Sequence, residues 1–169
     1  TRRAATAAKA LPPPPPPSSP RPRGPGLHPG DVLMHDGLEH ALERASELED
    51  GTLVRVLEVI ATPPRFVVQL DHAGERILLA TSYDELPEGR VADVVALGVR
   101  SLQLVRRGEA SARPVLDDHG VLFTGRCRFT VLADRAGRHL VVVEPEGAAR
   151  LCLVGDLVDR RRIDVLPGG

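Results

Sequence analysis

The stretch RFVVQLDHAGERILL (residues 65–79) decides the fold, and RHLVVVEPEGAARLCL (residues 138–153) repeats its plan. Each holds an apolar run, a short acidic turn carrying Gly74 or Gly147, an arginine and a second apolar run. Short, β-branched-rich runs bounded by turn residues read as paired hairpin strands. A strand precedes each hairpin, Val54 to Ile60 and Cys127 to Leu132, and a loop leads from each to another, Val91 to Val95 and Arg162 to Leu166. The shared plan predicts two β units of about fifty residues, built as two small barrels or as one pseudo-symmetric barrel. With turns this tight, local hairpins close the sheet and no βαβ crossover is expected.

Working outward, strands are expected near residues 52–61, 65–71, 75–81, 91–97, 99–106, 121–132, 138–144, 149–154 and 162–166. Pro63-Pro64, His72-Ala73-Gly74, Glu88-Gly89, Arg135-Ala136-Gly137 and Pro145-Glu146-Gly147 supply the turns between them. Burial is expected at Val54, Val56, Val67, Leu78, Val94, Leu102, Leu104, Val131, Val142 and Leu153. Upstream, Asp36-Gly37-Leu38-Glu39 reads as a helix cap. Leu38, Leu42, Ala45 and Leu48 follow at helical spacing, with Gly51 as the stop. The expected organisation is a disordered Pro-rich basic arm (1–30), an amphipathic helix (31–51), a first β unit (52–108) and a second (109–169). The fold class is mainly β: two small barrel-like pseudo-repeat units of the OB, SH3 or TOBE kind, one short N-terminal helix and the arm. The opening Thr1 reads as the start of a processed product or of a segment excised from something larger.

Composition narrows the function. The chain has 169 residues, 42% hydrophobic but only 2% aromatic, with no Trp. The core must therefore be aliphatic, and base-stacking platforms or aromatic cages are excluded for want of rings. No apolar run approaches the roughly 20 residues of a membrane span, so a cytoplasmic protein without membrane contact is expected. Five of the 22 basic residues (Arg2, Arg3, Lys9, Arg21, Arg23) precede residue 30 with no acid among them, and the other seventeen face 23 acids. A basic tail thus precedes an acidic body, which argues against nucleic-acid binding there.

Ten of the sixteen prolines lie before residue 30. The run Pro12 to Pro17 belongs in extended polyproline II, either as a spacer or as a docking peptide. Leu11-Pro12-Pro13-Pro14-Pro15 resembles ligands of EVH1 domains, and the hexaproline resembles profilin ligands; both imply a protein partner met through the arm. The cluster Arg160-Arg161-Arg162, with Arg106-Arg107 at the matching end of the first unit, is the candidate contact for an anion or acidic partner through guanidinium forks. Asp156, Asp159 and Asp164 around the triplet allow a solvated salt-bridged loop instead.

Catalytic motifs do not assemble. His35 and His40 are five apart, one residue too many for the inverted zinc-protease pattern, and on a helix they would diverge. His72 and His119 sit in Asp-flanked turns. No Gly-x-Ser-x-Gly elbow or phosphate-cradling glycine loop occurs. Cys127 and Cys152 fall in paired positions of the two units, as buried thiols, as a redox pair, or with Cys127 activated by Arg126 and Arg128. No cofactor, metal or catalytic residue is expected.

The stretch from Gly51 to Val105 resembles the TOBE/molybdate-binding small-barrel pattern, through a strand, the Ala73-Gly74 hairpin, Leu86-Pro87-Glu88-Gly89, Val-Ala-Asp-Val-Val-Ala-Leu and Val99-Arg-Ser-Leu-Gln-Leu. That likeness implies an oxyanion-sensing or regulatory barrel, although Gly98-Val99-Arg100-Ser101 stands where that family uses Lys-Ala-Ser for its anion. A helix before a strand, Cys127 before a long hairpin and the closing segment Leu151 to Val165 resemble CABIT modules of signalling adaptors. The leading expectation is a non-catalytic protein-interaction or regulatory module of a larger protein. A small-anion-binding barrel and a thiol-dependent enzyme or redox sensor are the alternatives.

Overall fold

The computed structural model describes residues 26–49, 53–116 and 120–168, and only the backbone of Leu53 and Val54. The docking candidates Leu11 and Pro12 to Pro15, together with His119, lie outside the described residues. The elements are β1 (Val32–His35), β2 (Leu38–Glu49), β3 (Leu53–Val59), β4 (Arg65–Gln69), β5 (Arg76–Ser82), β6 (Val94–Leu97), β7 (Arg100–Pro114), β8 (Gly125–Ala133), β9 (Arg138–Pro145), β10 (Leu151–Asp159) and β11 (Asp164–Leu166). Single 3-10 turns, Asp71–Ala73 and Arg160–Arg162, follow β4 and β10.

Among the described residues the strands form one antiparallel sheet in the order β11-β1-β2-β3-β4-β5-β10-β9-β8-β7-β6. β2 also pairs with β7 over Ser46–Glu49, so the sheet bends into a partial ring. Two four-stranded meanders, β2 to β5 and β7 to β10, supply the ring. They meet where Glu49 faces Ser111 and where Ala80 faces Gly155.

The apolar side chains fall into three clusters. All eight ring strands contribute to the first, which includes Leu48, Val56, Val68, Leu78, Ala110, Phe129, Val141 and Leu153 and fills the inner face. Leu42, Leu57, Val59, Val67 and Ile77 form the second, on the outer face of the first meander, beneath Leu33 of β1 and Ile163. Leu102, Leu132, Leu140 and Val142 form the third, on the outer face of the second meander, beneath Val91, Tyr83 and Leu86. Adjacent residues such as Val67 and Val68, or Leu140 and Val141, thus enter different clusters. Covering both faces of a strand is what makes its sequence a continuous apolar run.

One loop closes an end of the ring. Leu122 and Phe123 pack on the inner cluster, and the buried Ser46 hydroxyl donates to the Phe123 carbonyl (2.6 Å) and accepts from its amide (2.9 Å). On the outer face, buried Glu47 accepts from Arg55 (2.6 Å) and from Arg113 (2.6 Å). Arg55 in turn donates to the Leu27 carbonyl, and Gln69 accepts the Leu27 amide. The chain therefore joins the body at a fixed point.

The expected helix over 31–51 is instead the β1–β2 hairpin. Asp36 and Gly37, with φ of 48° and 76°, form the two-residue turn that matches strand twist, not a helix cap. The helical spacing of Leu42, Ala45 and Leu48 comes from a bulge between Leu42 and Arg44. The extra residue turns a two-residue alternation into a gap of three, so Leu42 and Ala45 share the outer cluster while Leu48 enters the inner one. Leu38, the first residue of the supposed stripe, is 54% exposed.

The nine expected strands all occur, but the one placed at 99–106 extends to Pro114, so the expected unit boundary at 108/109 falls inside β7. Val56, Val67, Leu78, Leu102, Val131, Val142 and Leu153 are buried. Val94 is 57% exposed on the edge strand β6, and Leu104 is half-buried beside a second bulge.

Candidate functional site

The five arginines singled out by sequence lie on two elements, Arg106 and Arg107 on β7 and Arg160 to Arg162 in the turn after β10. Arg106 follows the bulge in β7, opposite Val131, and its guanidinium lies 5.6 Å from the centre of the inward-facing Phe129 ring. Its neighbour Arg107 binds Asp93 (2.8 Å) and the Val91 carbonyl. In the turn after β10, Arg160 donates to the Ile163 carbonyl (2.7 Å), Asp159 caps the Arg161 amide, and Arg162 reaches Asp36 of the β1–β2 turn (3.4 Å). These contacts pin the turn. A shallow cleft of about 300 Å³ lies between Arg160-Arg161 and the Gly74-Glu75-Arg76 turn.

Sequence reasoning missed a histidine pair at the same end of the ring. His139 begins β9 on the inner face, and His72 sits in the turn after β4, 67 positions away in sequence. Their Nε2 atoms are 3.1 Å apart, and the nearly parallel rings have centres separated by 5.4 Å. His139 Nδ1 lies 2.9 Å from the Gly137 carbonyl, which can only accept, so the proton of the neutral ring belongs on Nδ1. Its Nε2 then accepts from His72 Nε2–H, and one proton bridges the two rings. Burial holds both below the ordinary histidine range, helped for His72 by the charge of His139. No hydroxyl or thiol nucleophile among the described residues hydrogen-bonds to either ring.

The cysteines lie on opposite faces. Cys127 is in the inner cluster, where its thiol meets the Ala110 carbonyl at 3.7 Å. Cys152 packs against the third cluster, and burial pushes its thiol up despite nearby Arg150. Arg126 and Arg128 are exposed on the face away from Cys127. His35 and His40 occupy the two strands of the first hairpin, and the described residues contain no group of three or more metal-ligating side chains.

Two edges end the strand order. Among the described residues β11 pairs only with β1, and β6 only with β7. The Leu104 amide donates to the Asp93 carbonyl, so by ladder alternation the Val94 and Ala96 amides face away from β7. Beside that edge Leu86, Pro87, Val91 and Val94 wall a cleft of about 390 Å³. No described helix is long and apolar enough to cross a membrane. Compared with known proteins, the chain matches no family model, no curated protein and no solved structure.

Proposed function

We propose that the chain is a non-catalytic protein-interaction or regulatory module of a larger cytoplasmic protein. It docks partners through an open strand edge and through its Pro-rich arm. The observation that carries the reading is β6, whose outward amides and exposed Val94 adjoin an apolar cleft. Such an edge takes an added strand from an extended peptide, with main-chain hydrogen bonds for affinity and the cleft for side-chain selection. The inner face supports the same reading, because it is packed with aliphatic groups.

The partial ring reads as one small barrel of two related halves. Exchanging β2–β5 for β7–β10 leaves the set of pairings unchanged, β1–β2 corresponds to β6–β7, and both β2 and β7 carry a bulge against the next strand. The arm joins this body at Leu27, so a partner bound to Leu11 and Pro12 to Pro15 is held near it.

The test has two parts. A purified EVH1 domain and profilin are titrated against the full chain and a variant lacking Pro12 to Pro17; binding lost on deletion supports the arm. Displayed peptide libraries are selected on the wild type and on Val94→Lys. Enrichment of extended apolar peptides that fail to bind the variant supports the edge. Equal selection on both proteins, with no arm-dependent titration, refutes the proposal.

A further inference from the structure

The two meanders meet on the outer face along β5 and β10, where a cleft of about 200 Å³ is walled by His40, Arg65, Thr81, Arg138 and Asp156. Gly155 lies in its floor. A Cβ there would sit 1.9 Å from the Leu79 carbonyl oxygen, so the seam closes only around a glycine.

The strand registers give this cleft an internal comparison. Ala80 faces Gly155, and one step to either side Thr81 faces Val154 and Leu79 faces Asp156. A two-fold axis through the Ala80–Gly155 pair therefore relates Thr81 to Asp156. One strand further out, Arg65 faces Thr81 and Arg138 faces Asp156, so Arg65 corresponds to Arg138. Beyond them Val59 faces Arg65, and the Asp134 amide donates to the Arg138 carbonyl, which relates Val59 to Asp134. The next strands carry Leu42 and Leu102, both buried, and two residues before each come His40 and Arg100.

The second half is electrically satisfied. Arg138 binds Asp156 at 2.6 Å, and Arg100 lies 3.4 Å from Asp134 and 3.5 Å from Asp156. In the first half the positions of both acids are taken by Thr81 and Val59. Among the described residues Arg65 has no ion pair, and the buried His40 Nε2, on a residue 6% exposed, has no hydrogen-bond partner. A buried polar nitrogen without a partner is destabilising, and a ligand that pairs with it removes that penalty on binding. The cleft's one carboxylate, Asp156, is already engaged by two arginines, so the side towards Arg65 and His40 is electropositive.

We propose that this cleft binds a compact phosphate-type oxyanion. The Arg65 guanidinium and the His40 imidazole hold it, in the place that carboxylates occupy against Arg138 and Arg100 in the other half. The Arg65 fork suits two oxygens of one tetrahedral anion, His40 Nε2–H reaches a third, and the Thr81 hydroxyl adds a donor at the rim. Burial, and after it the charges of Arg65 and His35, disfavour a protonated His40, and an anion in the cleft opposes the electrostatic part of that. The site is separate from the β6 edge and the arm, and stands or falls without them.

Thermal unfolding of the full chain, titrated with inorganic phosphate against chloride at matched ionic strength, tests the site. At a phosphate concentration ten times the Kd the midpoint should rise by roughly 3–6 °C. Glycerol 3-phosphate in a parallel titration separates a free ion from a phosphate group on an organic molecule, and a rise with either supports the site. Arg65→Gln should abolish the rise. Thr81→Asp should abolish it too while leaving the protein folded, because it supplies Arg65 with the acid that Arg138 already has. Arg161→Ala, Val94→Lys and deletion of Pro12 to Pro17 should leave it intact. A response no larger than that to chloride, or one that survives Thr81→Asp, overturns the proposal. A phosphate response that persists while peptide and EVH1 binding fail leaves this site standing and removes only the docking reading.

Discussion

Gly155 shows how much a single residue can decide. With a Cβ displaced into the Leu79 carbonyl, Gly155→Ala must push β5 and β10 apart, and about 3 kcal/mol of stability should be lost in a urea titration. An unchanged midpoint would mean that the seam is looser than its geometry. The histidines give a second expectation at this scale. Burial holds His40, His72 and His139 below the ordinary value of 6.5, so just under that pH the unfolded chain binds more protons than the folded one. Their contribution to stability is complete above pH 6.5 and declines as pH falls towards and through the lowered values. The urea midpoint should therefore be level above pH 6.5 and drop as the pH falls below it, and His139→Gln should remove part of that slope. None of this was legible in sequence. His72 reads as a turn residue, and His139 is 67 positions away; only the curl of the sheet brings them together.

At the level of elements, β4, β5 and β9 were legible because their central apolar runs are unbroken, and the runs are unbroken because each outer face is covered. β2 was misread for a local reason. One bulged residue gave it the spacing of a helix, and the positive-φ turn residues Asp36 and Gly37 also suit a cap. β7 ran longer than expected because Arg106 to Pro114 is polar and holds Gly108, a poor strand former. Pairing with β8 along one side and β2 along the other overrides that local preference. The hairpin reading carries its own test: Gly37→Ala, forced to positive φ, should cost about 1–2 kcal/mol, whereas Asp36→Asn should be tolerated. A helix would give the opposite result, since alanine would favour it.

For the whole molecule, the inner cluster draws on both meanders, so the two halves share it although each also carries an outer cluster. Leu57→Ala, in the outer cluster of the first meander, and Leu132→Ala, in that of the second, should each lower stability by about 2–5 kcal/mol. Both should shift one common unfolding transition followed by circular dichroism; two separable transitions would show that the halves are independent domains. The sequence repeat between residues 65–79 and 138–153 pointed to two related parts, but hairpin patterns do not encode which strand of one meander meets which strand of the other. That information lies in long-range fits such as Glu49 against Ser111.

The same stitching has a consequence for cutting the chain. Glu88 and Gly89 are exposed in the link between β5 and β6, and no ladder of the ring depends on that peptide bond. A nick there would leave two polypeptides still interlocked along three rows of main-chain hydrogen bonds, β1 with β11, β2 with β7 and β5 with β10, and one common oily interior, the arrangement from which split reporters are made.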